Sequence, residues 1–151
     1  MANTYTKIFF HIVFAVKGRE SLLPLTEQLR VHKYMEATLR NMGQTPIAIG
    51  GVENHVHILI EFKPNISISD IVRDLKTSVT KMINSKHLVA YQFAWQRGYA
   101  CFSYSPSQID SVKKYILNQP MHHKNISLRE EMKIAYDRFG IEFDEKYIFE
   151  E

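Results

Sequence analysis

The chain has 151 residues, 45% of them hydrophobic, and its 19 Lys and Arg outnumber its 16 Asp and Glu, giving a formal net charge of +3. These values are typical of one globular domain over residues 1–151 and exclude a disordered chain. No apolar run is long enough to cross a bilayer, no secretory leader is recognisable, and the single cysteine, Cys101, cannot form an internal disulfide.

The charge is unevenly distributed along the chain. Residues 1–140 hold 18 basic and 11 acidic residues, whereas residues 141–151 hold one Lys and five acids. A basic body with an acidic tail favours a polyanionic partner such as nucleic acid. The tail also contains Phe143, Tyr147, Ile148 and Phe149, so we expect part of it to dock on the body or on a second subunit.

Residues 5–16 are rich in β-branched and aromatic residues, which predicts a long and largely buried strand. His11 interrupts the run, and we interpret it as a core or interface histidine with one hydrogen-bond partner rather than a catalytic group. Lys17 and Arg19 flank Gly18 at the end of the strand, where both can meet phosphate. The strand is apolar enough for a partner strand to pair along its edge.

A helix is predicted over residues 25–42, with Leu25 and Leu29 opening its apolar positions and Gly43 ending it. Residues 46–52 read as a second strand. The short connection Glu53-Asn54 then predicts an antiparallel hairpin with the strand that follows.

That following strand, residues 55–62, alternates strictly. Val56, Ile58 and Ile60 fall on one face, which we expect to be core. His55 and His57 fall on the other, because successive side chains of a strand point to opposite faces. Two neutral imidazoles in this arrangement form half of a divalent metal site, although such a pair taken alone is more often simply hydrogen-bonded.

Ser67 and Asp70 form a capping pattern that opens a helix with one apolar stripe. Residues 93–104 supply a further, aromatic strand in which Trp95 and Phe102 are expected core. The element order is then βαββαβ, which predicts a ferredoxin-like (RRM-like) α+β fold, an antiparallel sheet with helices on one face.

Another helix is predicted after Ser107, with Ile109, Val112 and Ile116 as its buried stripe. Tyr115 and Gln119 share a different face, one turn apart. Pro120 halts or kinks this helix. A last helix begins after Ser127 and ends at Gly140.

Two groups of residues resemble the single-tyrosine transposases of the smallest bacterial insertion sequences, members of the HUH (His-hydrophobic-His) nuclease superfamily. The first group is Asn54-His55-Val56-His57, and the second is residues 112–119 followed by His122-His123. Residues 95–99 and 10–14 strengthen the resemblance, which runs from about residue 5 to 149.

The resemblance implies a metal-dependent, ATP-independent DNA transposase that binds imperfect hairpins in single-stranded DNA. It would cleave and rejoin strands through a covalent 5′-phosphotyrosine, with Tyr115 on a C-terminal catalytic helix as the nucleophile. His55, His57 and Gln119 would bind Mg²⁺ or Mn²⁺. It further implies a homodimer with active sites shared between subunits, no membrane association, and a cytoplasmic, nucleoid-associated location in a bacterium or archaeon.

Some roles stay open from the sequence. Proline disfavours helical geometry in the residue before it, so Pro120 can aim Gln119 differently from its spacing. His122 and His123 are alternative ligands or DNA contacts. A non-catalytic nucleic-acid-binding module, a phosphoesterase with a water nucleophile, or a domesticated repeat-associated relative would share much of this pattern. The candidate DNA contacts are Lys17, Arg19, Arg73, Lys76, Arg97, His122, His123 and Lys124.

Overall fold

The computed structural model describes residues 3–18 and 22–149 and contains the expected βαββαβ order. Its four strands form one antiparallel sheet in the order β2-β3-β1-β4, which confirms the ferredoxin-like prediction. The elements are β1 Phe9–Ala15, α1 Leu25–Asn41, β2 Thr45–Val52, β3 His55–Glu61, α2 Ile68–Ser85, β4 Ala100–Tyr104, α3 Ile109–Leu117, α4 Gln119–His122 and α5 Leu128–Phe139.

β1 lies in the middle of the sheet, paired with β3 on one side and β4 on the other. The idea that a partner strand could pair along its edge is therefore wrong, because both edges of β1 are already hydrogen-bonded. The outer strands are β2 and β4. β2 carries Pro46, which lacks a backbone N–H, and β4 has only five residues.

The two faces of the sheet are both covered by helices. Ile12, Phe14, Val56, Ile58 and Ile60 pack against α1 and α2 in the larger core cluster. The opposite face packs against α3 and α5 and buries two smaller clusters. The alternation predicted for β3 is confirmed, and its histidine face is covered by the C-terminal helices.

Several local predictions differ from the structure. In α1 the predicted apolar positions Leu25 and Leu29 are 59% and 66% exposed, while Val31, Met35 and Leu39 are buried. Gln28 is also turned inward, because its side-chain amide donates to the backbone carbonyls of Leu23 and Val52. The true stripe is thus offset from the most hydrophobic residues of the first two turns.

The predicted strands at residues 5–16 and 93–104 are longer than β1 and β4. Trp95 forms only an isolated bridge with Val16, and the chain reaches regular pairing at Ala100. The predicted cap at Ser107 is wrong, because Ser107 lies inside a 3-10 turn, Pro106–Gln108, that precedes α3. Ser105 begins this turn, and its N–H donates to Gln108 Oε1 at 2.9 Å. The cap at Ser67 is confirmed by its hydrogen bond from the Asp70 N–H.

The tail returns to the body. Ile148 and Phe149 are 3% and 5% exposed and pack in the same cluster as Leu128 and Met132, whereas Tyr147 is 82% exposed. The left-handed conformation of Gly140, with φ of 67°, ends α5 and turns the chain toward this contact. Among the described residues, none of the helices has both the length and the apolar character that a membrane crossing needs.

Candidate active site

The two histidines of β3 lie under the C-terminal helices. His55 is 2% exposed and His57 is fully buried, opposite Ala15 and Val13 of β1. Each imidazole has one nitrogen held by a neighbour. His55 Nδ1 is 2.7 Å from Asn54 Oδ1, and His57 Nδ1 is 2.7 Å from Nε2 of the buried His11. Their Nε2 atoms are left pointing into a common space.

α3 reaches this space because it packs unusually close to the sheet. Val112 and Ile116 are buried against Ala48 and Leu59, as the predicted stripe requires. A Cβ atom at Gly50 would lie 2.2 Å from the backbone oxygen of Ile116, so only glycine allows this approach. The contact fixes the backbone next to Tyr115 and sets the ring beside His57, with centroids 5.8 Å apart.

The helix break at Pro120 turns Gln119 inward. α3 ends at Leu117, and the short α4 begins at Gln119 with the proline in its first turn, where no N–H is needed. Gln119 is fully buried, its Oε1 lies 3.2 Å from His55 Nε2, and its amide nitrogen donates to Glu131. The proline therefore redirects Gln119 without removing it from the histidine pair.

Glu131 of α5 is the centre of the site, and our sequence analysis did not single it out. Its Oε1 lies 3.0 Å from His123 Nε2, 3.2 Å from His57 Nε2 and 3.6 Å from His55 Nε2. Its Oε2 accepts hydrogen bonds from the Tyr115 hydroxyl and, at 3.2 Å, from the Gln119 amide. One carboxylate thus joins the histidines to the tyrosine.

A signal for Glu131 was present in the sequence. Leu128, Met132, Ala135 and Phe139 form the packed side of α5, and residue 131 falls on that side, three residues after Leu128 and four before Ala135. Glu131 is 4% exposed, and a buried carboxylate is rare unless it is paired. An acid on an apolar helical stripe therefore indicates a buried partner or ligand.

The electrostatics of the site follow from burial around this carboxylate. Burial lowers the pKa of His11 and His55 to about 3 and also lowers the pKa of His57, so all three imidazoles are neutral. Burial alone would raise the pKa of Glu131, but hydrogen bonds with His123 and His57 outweigh it and the pKa is lowered. Glu131 is therefore an anion among neutral imidazoles.

The Tyr115 phenol is protonated in this state. Burial, and then the hydrogen bond to the Glu131 carboxylate, raise the pKa of Tyr115 above its ordinary value. Additional positive charge beside the ring would be needed to favour the phenolate.

The donor set is suited to a metal ion. His55, His57, His123 and Glu131 each offer one ligand atom, and these atoms all lie within 4.8 Å of one another. Neutral imidazole nitrogens and a carboxylate oxygen are common ligands of divalent metals in proteins. The group can hold one ion between β3, α4 and α5, in front of Tyr115.

A cavity of about 460 Å³ opens on the Tyr115 side of this group. Tyr115, His57 and Glu131 are among its lining residues, together with Tyr104 and Arg138. The volume is large enough for a nucleotide-sized ligand. Tyr115 therefore lines a pocket that is also lined by an exposed guanidinium, that of Arg138.

The predicted DNA contacts divide into two groups. His122 and His123 lie at the site, with His122 Nε2 3.2 Å from Glu131 Oε2, and Lys124 follows them on the surface. Lys17 and Arg97 are exposed near the end of β1, beyond the His55 end of the sheet. Arg19 lies outside the described residues.

Two cations of α2 already have protein partners. The Lys76 ammonium donates to the carbonyls of Gln96 at 2.9 Å and Gly98 at 2.6 Å, and burial lowers the pKa of Lys76 to about 8. Arg73 pairs with Asp70 and Asp74. Lys76 therefore holds the segment that carries Arg97 through two hydrogen bonds. Contacts of Lys76 and of Arg73 with DNA remain predictions.

Comparison with known proteins identifies the family. The family model described as IS200-like transposase matches residues 4–119. A Deinococcus radiodurans R1 protein, provisionally assigned as a transposase, superposes with a TM-score of 0.60 at 21% identity, covering 79% of this chain and 95% of that one. A REP-associated tyrosine transposase bound to a REP hairpin gives a TM-score of 0.60 at 16% identity, covering 83% and 74%.

No curated protein matches the chain. The two superpositions show a shared fold, and the family match covers more than half of the sequence. It ends before His123 and Glu131, so two of the four metal-ligand candidates lie beyond the matched residues. On the strength of the family match, the chain belongs to the IS200-like transposases.

Proposed function

We propose that this transposase cleaves and rejoins single-stranded DNA through a covalent bond between Tyr115 and a 5′ phosphate. The observation that carries the proposal is the hydrogen bond from the Tyr115 hydroxyl to Glu131, the same carboxylate that faces the histidine pair. A nucleophile candidate and a metal-ligand group are thereby held together beside an open cavity.

The chemistry can be stated for the groups of this chain. Tyr115 would attack the scissile phosphorus, the bond to the 3′ oxygen would break, and the products would be a 5′-phosphotyrosine and a free 3′-OH. A second 3′-OH could then reverse the step and join a new strand, because the covalent bond conserves the phosphodiester energy. His55 and His57, with Gln119 beside them, would hold a divalent cation, which when bound supplies positive charge to the phosphate.

The resting contacts explain how the reaction would be restrained without DNA. Burial and the hydrogen bond to Glu131 keep the pKa of Tyr115 high, so Tyr115 is a poor nucleophile in this state. A strand entering the cavity would bring its phosphate to the hydroxyl, and the Arg138 guanidinium, which also lines the cavity, could pair with the backbone charge.

Hairpin DNA is the proposed substrate. The REP-associated relative that shares this fold is bound to a REP hairpin. In this chain the basic residues Lys17, Arg97 and Lys124 are exposed, and phosphate contacts by such residues supply sequence-independent affinity. Subterminal hairpins flanking the gene are the first substrates to test.

The experiment is a denaturing gel of labelled single-stranded oligonucleotides incubated with protein, with and without Mn²⁺ or Mg²⁺. We expect a slower, metal-dependent protein–DNA adduct that is absent in Tyr115→Phe. Tyr104→Phe is the matched control, because it removes a hydroxyl from the same cavity and should retain the adduct. Strand cleavage that survives Tyr115→Phe but not His57→Ala would instead indicate a water nucleophile.

The subunit arrangement is a separate question. A homodimer with shared sites stays a prediction from the resemblance, while the groups that meet here all come from one chain. We propose that each chain can complete its own site. Mixing His57→Ala with Tyr115→Phe distinguishes the two arrangements: restored adduct formation requires sites shared between subunits, and no restoration supports a site within one chain.

A further inference from the structure

We propose that His123 and Glu131 are metal ligands alongside His55 and His57, so that one chain supplies three imidazoles and one carboxylate and selects a transition-metal ion over Mg²⁺. This inference deepens the proposed function, because it defines the metal site that the strand cleavage would use. It extends the ligand set beyond His55, His57 and Gln119, which the resemblance implies.

The first argument is the spacing around one oxygen. Glu131 Oε1 lies 3.0, 3.2 and 3.6 Å from the Nε2 atoms of His123, His57 and His55. Ligands of a tetrahedral ion with bonds of about 2.1 Å are separated by about 3.4 Å. The three nitrogen–oxygen distances bracket that value, and all four ligand atoms lie within 4.8 Å of one another, so they could close around one ion.

The second argument is the direction of the lone pairs. His123 Nδ1 lies 2.8 Å from the backbone carbonyl of Ile126, which can only accept a hydrogen bond. With an ion bound, His123 would keep its proton on Nδ1, and its Nε2 atom, 3.0 Å from Glu131 Oε1, would be free to bind the ion. The space between this Nε2 atom and the carboxylate oxygen can be occupied by a proton or by a metal ion, and the test below distinguishes the two.

His55 repeats the arrangement. Its Nδ1 lies 2.7 Å from Asn54 Oδ1, so the proton is on Nδ1, and its Nε2 faces the oxygens of Gln119 at 3.2 Å and Glu131 at 3.6 Å. In metal-bound histidines, a hydrogen bond from the nitrogen that does not bind the ion fixes the tautomer and orients the ring. The Nδ1 contacts of His55 and His123 are suited to that role.

The chemistry of the donors predicts which ion binds. Mg²⁺ prefers oxygen ligands and retains several waters, whereas imidazole favours first-row transition ions. Affinity for a site of this type rises from Mn²⁺ to Co²⁺, with Zn²⁺ also binding tightly. We therefore expect Co²⁺ and Zn²⁺ to bind more tightly than Mn²⁺, and Mn²⁺ more tightly than Mg²⁺. Gln119 Oε1, beside His55, can add a fifth oxygen.

The test measures metal binding directly on the full chain without DNA. Protein freed of metal with a chelator is titrated with Co²⁺, followed by its visible absorption, and with Mn²⁺, followed by electron paramagnetic resonance. Glu131→Gln and His123→Asn should each weaken binding at least about 100-fold, since changes in outer-sphere partners alone cost 10–100-fold. Mg²⁺ in excess should not displace Co²⁺.

Two controls match these variants. Glu130→Gln changes the neighbouring, exposed carboxylate of the same helix, and His87→Asn changes an exposed histidine whose φ of 50° asparagine tolerates. Both should bind Co²⁺ as the unaltered protein does. Thermal unfolding without metal shows whether each variant is folded, and stabilisation by Co²⁺ gives a second reading of binding.

The inference is overturned if folded Glu131→Gln and His123→Asn bind Co²⁺ like the unaltered protein, if Mg²⁺ competes equally, or if no ion binds. In the last case a proton shared between His123 and Glu131 accounts for the contact. Metal binding and adduct formation are scored separately. Loss of Co²⁺ in the two variants supports the ligand set even if no adduct forms, and an adduct with normal Co²⁺ binding in both refutes the ligand set alone.

Discussion

Gly50 offers the sharpest test of how the fold positions the tyrosine. In Gly50→Ala the new Cβ would lie 2.2 Å from the backbone oxygen of Ile116, and an ordinary contact begins at 3.4 Å. Strand and helix must therefore separate by about 1.2 Å, since backbone atoms cannot rotate away as a flexible side chain would. Tyr115 precedes Ile116 and moves with it.

A displacement of about 1 Å at the reacting group can reduce a rate about 100-fold. Overpacking of this kind also costs about 1–3 kcal/mol of unfolding free energy. We expect Gly50→Ala to remain folded and to form the Tyr115 adduct about 100-fold more slowly in single-turnover assays. Urea unfolding of the same sample measures the loss of stability.

The control must lose stability without moving α3. Ile49 precedes Gly50 in β2 but packs against the other face of the sheet, in the cluster formed with α1 and α2. Ile49→Ala should lower the urea midpoint while the adduct rate changes by less than about 3-fold. A Gly50→Ala rate close to that of the unaltered protein would refute the reasoning, because it would show that α3 does not depend on this contact.

Three further outcomes are expected. Burial lowers the pKa of His32 to about 4, so between pH 6.5 and 4 the unfolded chain binds more protons than the folded chain, and stability falls as pH falls. The loss of unfolding free energy from His32 reaches up to about 2 kcal/mol at pH 5. The urea midpoints of His32→Asn should therefore depend less on pH than those of the unaltered protein. Lys76→Met should lower the unfolding free energy by about 1–3 kcal/mol through its two carbonyl contacts, and the exposed Lys81→Met should change it by less than about 0.5 kcal/mol. His11→Phe removes the partner of His57 Nδ1 and should weaken Co²⁺ binding 10–100-fold, as loss of other outer-sphere partners does. Unchanged affinity would show that His11 packs against His57 without orienting it for metal binding.

The sequence predicts the parts of the molecule that depend on local pattern. The alternation of β3 separates Val56, Ile58 and Ile60 from the two histidines, and the structure has the same division. The order of elements is also readable, because hairpin and capping signals are short-range. The spacing of Tyr115 and Gln119 predicts one shared site, and both side chains contact Glu131 in the structure.

The parts that the sequence does not reveal depend on contacts distant along the chain. The pairing of His11 with His57 follows from β1 lying next to β3, a fact of sheet order that a single strand does not encode. Glu131 could be noticed as an acid on an apolar stripe, but its partners are set by how α5 lies over the sheet. Pro120 is a local signal whose consequence is not readable from the sequence: the helix breaks before it, yet Gln119 still lies 3.2 Å from His55 Nε2.

The distance along the chain between His57 and Glu131, 74 residues, has a consequence for synthesis of the protein. At about 5–20 residues per second, a ribosome adds Glu131 roughly 4–15 s after His57. During that interval the nascent chain carries the β3 histidines and later Tyr115, but not the carboxylate that joins them. A chain that stops early is in the same condition permanently. The sequential order of these groups thus leaves unfinished and truncated copies without an assembled site while they are close to messenger RNA and other single-stranded nucleic acid.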